Sequence, residues 1–154
     1  MSTPAHYRVA DGLLAGAYPG MPGSVEALEG AGVTLFVDLT HPSDPLERYE
    51  HRLDGARRIG HPIPDMGTPT AGSVIHILDD IDTERSLGGT AYVHCWGGVG
   101  RTGTVVGCWL VRHGLGGGDP IATIAQLRAS IAGERPSPET PGQVALVRGW
   151  RRGR

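Results

Sequence analysis

The stretch Ala91-Tyr92-Val93-His94-Cys95-Trp96-Gly97-Gly98-Val99-Gly100-Arg101-Thr102-Gly103-Thr104-Val105-Val106 passes from an apolar strand pattern, through a glycine-rich turn, directly into an apolar helix pattern. Three glycines, Gly97, Gly98 and Gly100, crowd the turn itself. Glycine lets a backbone curl until successive N–H groups point inward, and the helix that follows adds its unpaired N–H groups and the positive end of its dipole. Such a turn cradles a tetrahedral anion. Cys95 stands at its base, in a field that favours a thiolate. Arg101 stands six residues on, where a planar guanidinium can grip two phosphate oxygens at once.

Outward from this turn, short apolar runs bounded by turn residues predict strands at Tyr7–Val9, Leu13–Ala15, Val33–Leu39, Arg58–Ile63 and Ala91–Cys95,. Helices are predicted between them. Ser24 is expected to cap a short one that Gly32 ends, and Asp44-Pro45-Leu46-Glu47 reads as a capping box opening another,. Thr70 caps a longer helix through about Arg85, with Val74, Ile77, Leu78 and Ile81 on one face,. Asp119-Pro120 opens a helix whose buried stripe is expected to be Ile121, Ile124, Ala125, Leu127 and Ile131, and Thr140-Pro141-Gly142-Gln143 opens the last. The expected fold is therefore a single α/β domain over residues 1–154, with a central, mainly parallel sheet of about four to five strands flanked by helices on both faces,. Ligands of such sheets bind beyond the carboxyl ends of the strands, which is where the Cys95 turn lies.

His94-Cys95, Gly98, Gly100 and Arg101-Thr102-Gly103 fall on the HCxxGxxR(S/T)G pattern and its glycine-rich form. The chain thus resembles the protein-tyrosine and dual-specificity phosphatases. The resemblance implies that Cys95 attacks phosphorus, that the loop Trp96, Gly97, Gly98, Val99 and Gly100 binds the phosphate with Arg101, that Thr102 stabilises the departing thiolate, and that His94 supports the loop. It further implies a general acid on an upstream loop, and Asp65 in His61-Pro62-Ile63-Pro64-Asp65-Met66-Gly67, thirty residues before Cys95, is similar to it. The segment Arg135–Gln143 resembles one found in small kinase-associated phosphatases, where a glutamine places the hydrolytic water. Gln143 also completes a capping box with Thr140, and both roles stay open. The opening GLLAGAYPG and the strand FVDLT share the resemblance. Trp96 departs from it, as smaller or polar residues are common at that position. No counterpart of the tyrosine-recognition loop of the large tyrosine-specific enzymes is visible.

The implied activity is hydrolysis of phosphomonoesters, on a phosphotyrosine protein or with dual specificity, without metal or cofactor. Phosphoinositide phosphatases share the loop but tend to carry lysines where this chain has Trp96 and Val99. A phosphate-binding pseudophosphatase is the non-enzyme alternative. The formal GxGxxG of Gly98–Gly103 lacks an acidic residue closing a second strand about twenty positions on, and no lysine suits a Walker A loop,. His41, His51, His61, His76 and His113 are scattered, so no metal is assigned,.

The formal net charge of −2, with both signs interspersed, points to no nucleic-acid surface and no membrane anchor,. The opening MSTPAHYRVADG lacks a charged and then apolar leader, and the chain's 2 cysteines lack CxxC spacing, so a reducing cytoplasm and a monomer are expected,. Cys108 is read as a small core residue. Arg148, Arg151, Arg152 and Arg154 are read as a frayed solvated tail, and Arg57 and Arg58 as a solvated strand end.

Overall fold

In the computed structural model, which describes residues 3–131 and 135–154, the apolar runs form five strands: β1 (His6–Ala10), β2 (Leu13–Gly16), β3 (Leu35–Asp38), β4 (Arg57–Gly60) and β5 (Ala91–His94). Their order across the sheet is β1-β2-β5-β3-β4. Only the β1–β2 hairpin is antiparallel. Strand β5 is central, with Val93 opposite Ala15 of β2 on one side and Val37 of β3 on the other. A strand paired along both edges and covered on both faces must be apolar throughout, which is why Ala91–His94 reads as an unbroken buried run,.

Alternation along the strands sorts the core into two layers. Leu13, Ala15, Leu35, Val37, Ala91 and Val93 pack toward α2 (Ala71–Ser86), α3 (Gly100–Arg112), α4 (Pro120–Leu127) and α5 (Pro141–Gly149). Phe36 and Tyr92 point the other way, against Val25 and Leu28 of α1 (Ser24–Gly30) and against Tyr49. The sheet is thus covered on both faces, as the alternation of strand and helix patterns predicts. The caps of α2, α4 and α5 match the sequence: the Thr70 hydroxyl accepts from Ser73 N, Asp119 accepts from Ile121 N, and Thr140 with Gln143 forms a complete capping box.

Five expectations fail, several because a partner distant in sequence outbids the local pattern. Gly23, in the left-handed region, caps α1, while the Ser24 hydroxyl donates to Met21 O at 2.6 Å. No helix opens at Asp44, whose carboxylate is engaged far across the chain, and only a 3-10 turn at Glu50–Arg52 intervenes before β4. Helix α4 stops at Leu127, short of the exposed Ile131, and Ala125 within it faces outward. The terminal arginines are not frayed: Gly153 N donates to Arg112 O at 2.8 Å and the Arg154 guanidinium sits 4.6 Å over the Trp150 ring. Arg58 likewise points inward, 3.0 Å from Asp38 Oδ2. Among the described residues, no helix is long and apolar enough to cross a membrane.

Candidate active site

The turn after β5 feeds straight into α3, whose first residue is Gly100. Gly98 has φ 74°, and a Cβ there would lie 2.5 Å from the Gly16 carbonyl carbon and 2.7 Å from Ala17 N. Only glycine fits, because both the backbone twist and the approach of β2 forbid a side chain. The same edge is tied from the other side, as Tyr18 N donates to Trp96 O at 3.0 Å. Beneath the turn, the Ser137 hydroxyl donates to Val99 O at 2.6 Å. Backbone, β2 and the segment before α5 therefore hold the cradle in one shape.

His94 is fully buried, with Nδ1 3.2 Å from Cys95 O and Nε2 2.7 Å from the Tyr49 hydroxyl. Burial lowers its pKa below the ordinary imidazole value, against the opposing pull of Asp38,. A neutral ring that donates through Nδ1 to Cys95 O and accepts the Tyr49 proton at Nε2 satisfies both contacts. This orients the chain at Cys95, which is 3 % exposed.

Cys95 lies in a pocket of about 240 Å³ whose polar groups are Asp65, Arg101, Arg135 and Glu139 and whose apolar rim is Met66 and Trp96. Arg101 is 2 % exposed. Its Nη1 donates to Asp44 Oδ2 at 2.7 Å and to Ile63 O at 2.9 Å, and its Nη2 lies 3.2 Å from Asp65 Oδ1. One end of the guanidinium is thus anchored in protein while the other faces the pocket. Asp65 is half exposed, in a turn closed by Gly67 N donating to Pro64 O at 2.8 Å, with Met66 at φ 62° beside it. A methionine in the left-handed region is uncommon and follows from that tight turn. Thr102 is buried, and its hydroxyl has no hydrogen-bond partner in the resting structure.

The structure therefore brings together Cys95, Arg101, Asp65, Trp96 and Gly97 at one pocket, while His94, Thr102, Gly98 and Val99 lie beneath its surface. Gln143 is fully buried and does not line the pocket. Trp96 is 45 % exposed at the rim, so it is not core packing under the loop. Cys108 is buried on α3, its thiol pushed up to about 12 by burial, in keeping with a core residue.

Asp44, which the sequence offers as a helix cap and as a fallback acid, is instead the buried partner of Arg101. Its side chain is 4 % exposed, and although burial opposes ionisation, the His41 N–H and Arg101 hold the carboxyl below its ordinary range. The one signal was topological: Asp44 follows β3, a parallel neighbour of β5, and loops at the carboxyl ends of such strands converge. A carboxyl depressed in the folded state adds stability above its unfolded pKa and loses it as pH falls through the lower folded value. Asp44→Asn should therefore cost about 2 kcal/mol in urea unfolding near neutrality, the scale of a hydrogen bond to a charged group, and the gap to the parent should close as pH drops below the carboxylate range. A constant gap from neutral to acid would detach Asp44 from the charge on Arg101.

Comparison with known proteins bears on the fold and the family. One curated relative is "Putative tyrosine phosphatase 067L" of Invertebrate iridescent virus 3, 37% identical over 113 residues that make up 69% of this chain and 45% of that protein. Another is cyclin-dependent kinase inhibitor 3 of Rattus norvegicus, 34% identical over 92 residues, 56% of this chain and 43% of that protein. The chain thus spans less than half the length of these relatives. The crystal structure of PTPMT1 in complex with PI(5)P superposes with a TM-score of 0.76 at 21% identity, covering 94% of this chain and 92% of that one, and so shares the fold. The family model for the DSP-PTPase phosphatase domain of the Swiss Army Knife type matches residues 9–152, nearly the whole chain, which therefore belongs to the dual-specificity and protein-tyrosine phosphatase family.

Proposed function

We propose that this chain hydrolyses phosphomonoesters on phosphorylated protein, phosphotyrosine above all, through a cysteinyl-phosphate. The observation that carries the reading is one pocket that joins Cys95, the free end of Arg101 and the Asp65 carboxyl beneath an apolar rim. In the first step, the Cys95 thiolate forms a bond to phosphorus as the bond to the leaving oxygen breaks, and Asp65 passes its proton to that oxygen. Arg101 and the loop N–H groups hold the phosphoryl oxygens. In the second step, Asp65 accepts a proton from water, whose oxygen bonds phosphorus as the S–P bond breaks, releasing phosphate and restoring the thiolate. The orphaned Thr102 hydroxyl supplies a donor for that returning sulfur.

Met66 and Trp96 flank the mouth, both exposed, and a flat aromatic leaving group can stack between them,. Trp96 stands at the rim, where a lysine would meet a polyanionic headgroup, which favours a phosphotyrosyl over an inositol substrate. The test is a panel of phosphotyrosine, phosphothreonine and inositol phosphate substrates, assayed with chelator present. Phosphotyrosine should turn over fastest. Stacking of about 0.5–1.5 kcal/mol is at stake on Trp96→Ala, so aryl phosphates should lose several-fold more in kcat/KM than alkyl phosphates. Faster turnover of inositol phosphates would make the chain a lipid-headgroup phosphatase, and equal losses in both ester classes would make Trp96 a structural residue only.

A further inference from the structure

Gln143 touches both halves of the site without lining it. Its Oε1 accepts from Glu139 N at 3.0 Å and from Thr140 N at 3.1 Å, which uses that oxygen fully. Its Nε2 donates to Gly67 O at 3.0 Å, across 76 positions of sequence, in the turn that carries Asp65. The same amide lies against the phosphate loop, since a Cβ on Gly100 would sit 3.2 Å from Oε1 and 3.3 Å from Nε2. A second contact runs parallel to the first: a Cβ on Gly142 would come 2.7 Å from the Thr68 hydroxyl, so the first turn of α5 is packed directly on the segment after Asp65.

From this geometry we infer that Gln143 is a positioning residue that latches the Asp65 loop to the phosphate loop, with its amide committed to the protein and not to a hydrolytic water. The inference rests on the reading of Asp65 as proton donor. Its physical content is that the distance between the acid and the nucleophile is set by one buried amide wedged between the two loops. With its oxygen doubly occupied, one Nε2–H given to Gly67 O and the whole side chain buried, the amide is shut out of the pocket where a hydrolytic water would attack. Loss of the Gly67 contact lets the acid loop drift while the cradle, held by β2 and Ser137, stays in place.

The decisive variant is Gln143→Glu in the full chain. Glutamate keeps the oxygens that cap α5 but has no proton to donate to Gly67 O. The two roles separate kinetically, because kcat/KM reports events up to cysteinyl-phosphate formation, whereas water placement acts only afterwards. A latch predicts a loss of kcat/KM of about tenfold on phenyl phosphate, short of the ~10²-fold that a 1 Å displacement can cost, and under about twofold on nitrophenyl phosphate, whose phenolate leaves readily without a proton. No phosphoenzyme should accumulate in a rapid-mixing burst. Unchanged kcat/KM with lowered kcat and a phosphoenzyme burst would overturn the latch and make Gln143 the water-placing group. Equal losses on both esters would overturn it as well. Should Gln143→Glu fail to fold, Gly142→Ala presses on Thr68 from the same helix turn and must give the same leaving-group dependence. Asp65→Asn measured alongside keeps the two readings apart. If Asp65→Asn shows the dependence and the α5 variants do not, only the latch fails; if Asp65→Asn lacks it, the acid assignment fails first.

Discussion

Cys95→Ser should bind inorganic phosphate with nearly the affinity of the parent and retain less than about one per cent of its turnover, because a hydroxyl is a far weaker nucleophile than a thiolate. The separation between binding and turnover follows from how the site is built. Phosphate affinity resides in the loop N–H groups and Arg101, and both are fixed by contacts that do not involve sulfur: Gly98 against β2, Ser137 on Val99 O, and Asp44 with Ile63 O on Arg101. Exchanging sulfur for oxygen at a site 3 % exposed leaves those contacts intact. Calorimetric titration with phosphate, paired with initial rates on an aryl phosphate, checks both halves. Residual turnover above one part in a hundred would remove Cys95 from the mechanism, and lost phosphate binding would show that the thiolate itself organises the cradle.

Asp65→Asn should lower kcat by about 10²–10³ on a poor leaving group, the size expected for a positioned proton donor. The mechanism needs the thiolate and the protonated acid in one molecule, so kcat/KM should follow a bell in pH. Its acidic limb includes the second ionisation of the substrate phosphate, near pH ~6, and the shape of the bell should change when residue 65 can no longer donate. On nitrophenyl phosphate the loss should shrink. An unchanged bell on a poor leaving group would assign the acid elsewhere, and the structure narrows the choice. Asp38, bound by the Thr40 hydroxyl at 2.6 Å and Arg58 at 3.0 Å, and Asp44, bound by Arg101, do not line the Cys95 pocket. Glu139, which lines the pocket opposite Asp65, is then the carboxylate to test.

Asp65 occupies the same resting contact that a phosphate oxygen would need on Arg101 Nη2. On the proposed mechanism, substrate entry would release the carboxylate from the guanidinium as it fills the cradle, freeing the acid by the same event that requires it.

The parts of this molecule visible in the sequence are those whose determinants are local. Strand β5, its turn and α3 are contiguous, and the glycines, the buried run and the apolar helix each report on their own position. The caps of α2, α4 and α5 are equally local, and all three occur as read. The failures share one cause. Asp44-Pro45-Leu46-Glu47 has every element of a capping box, but the Asp44 carboxylate has a stronger partner 57 positions away in a buried guanidinium. Ala125 sits inside α4 but on its exposed side, and Ile131 lies beyond Leu127, where the helix stops and Arg128 turns inward to donate to Arg135 O at 3.2 Å. Gln143 was legible as a cap, yet its bond to Gly67 was not, since nothing near either residue marks a contact across that span.

The placement of Cys108 has a consequence for oxidative chemistry. It is the chain's second and last cysteine, buried on α3 eight residues beyond Gly100, which at ~1.5 Å per residue puts it about two turns up the helix, too far to bridge to Cys95,. Burial also keeps that thiol protonated and unreactive,. A sulfenic acid formed on Cys95 thus finds no resolving thiol within this chain. Its return to the reduced state depends on a thiol from outside this chain reaching the pocket before further peroxide carries the sulfur to an acid that cannot be recovered, and condensation with a backbone nitrogen only shields the sulfur until such a thiol reduces it.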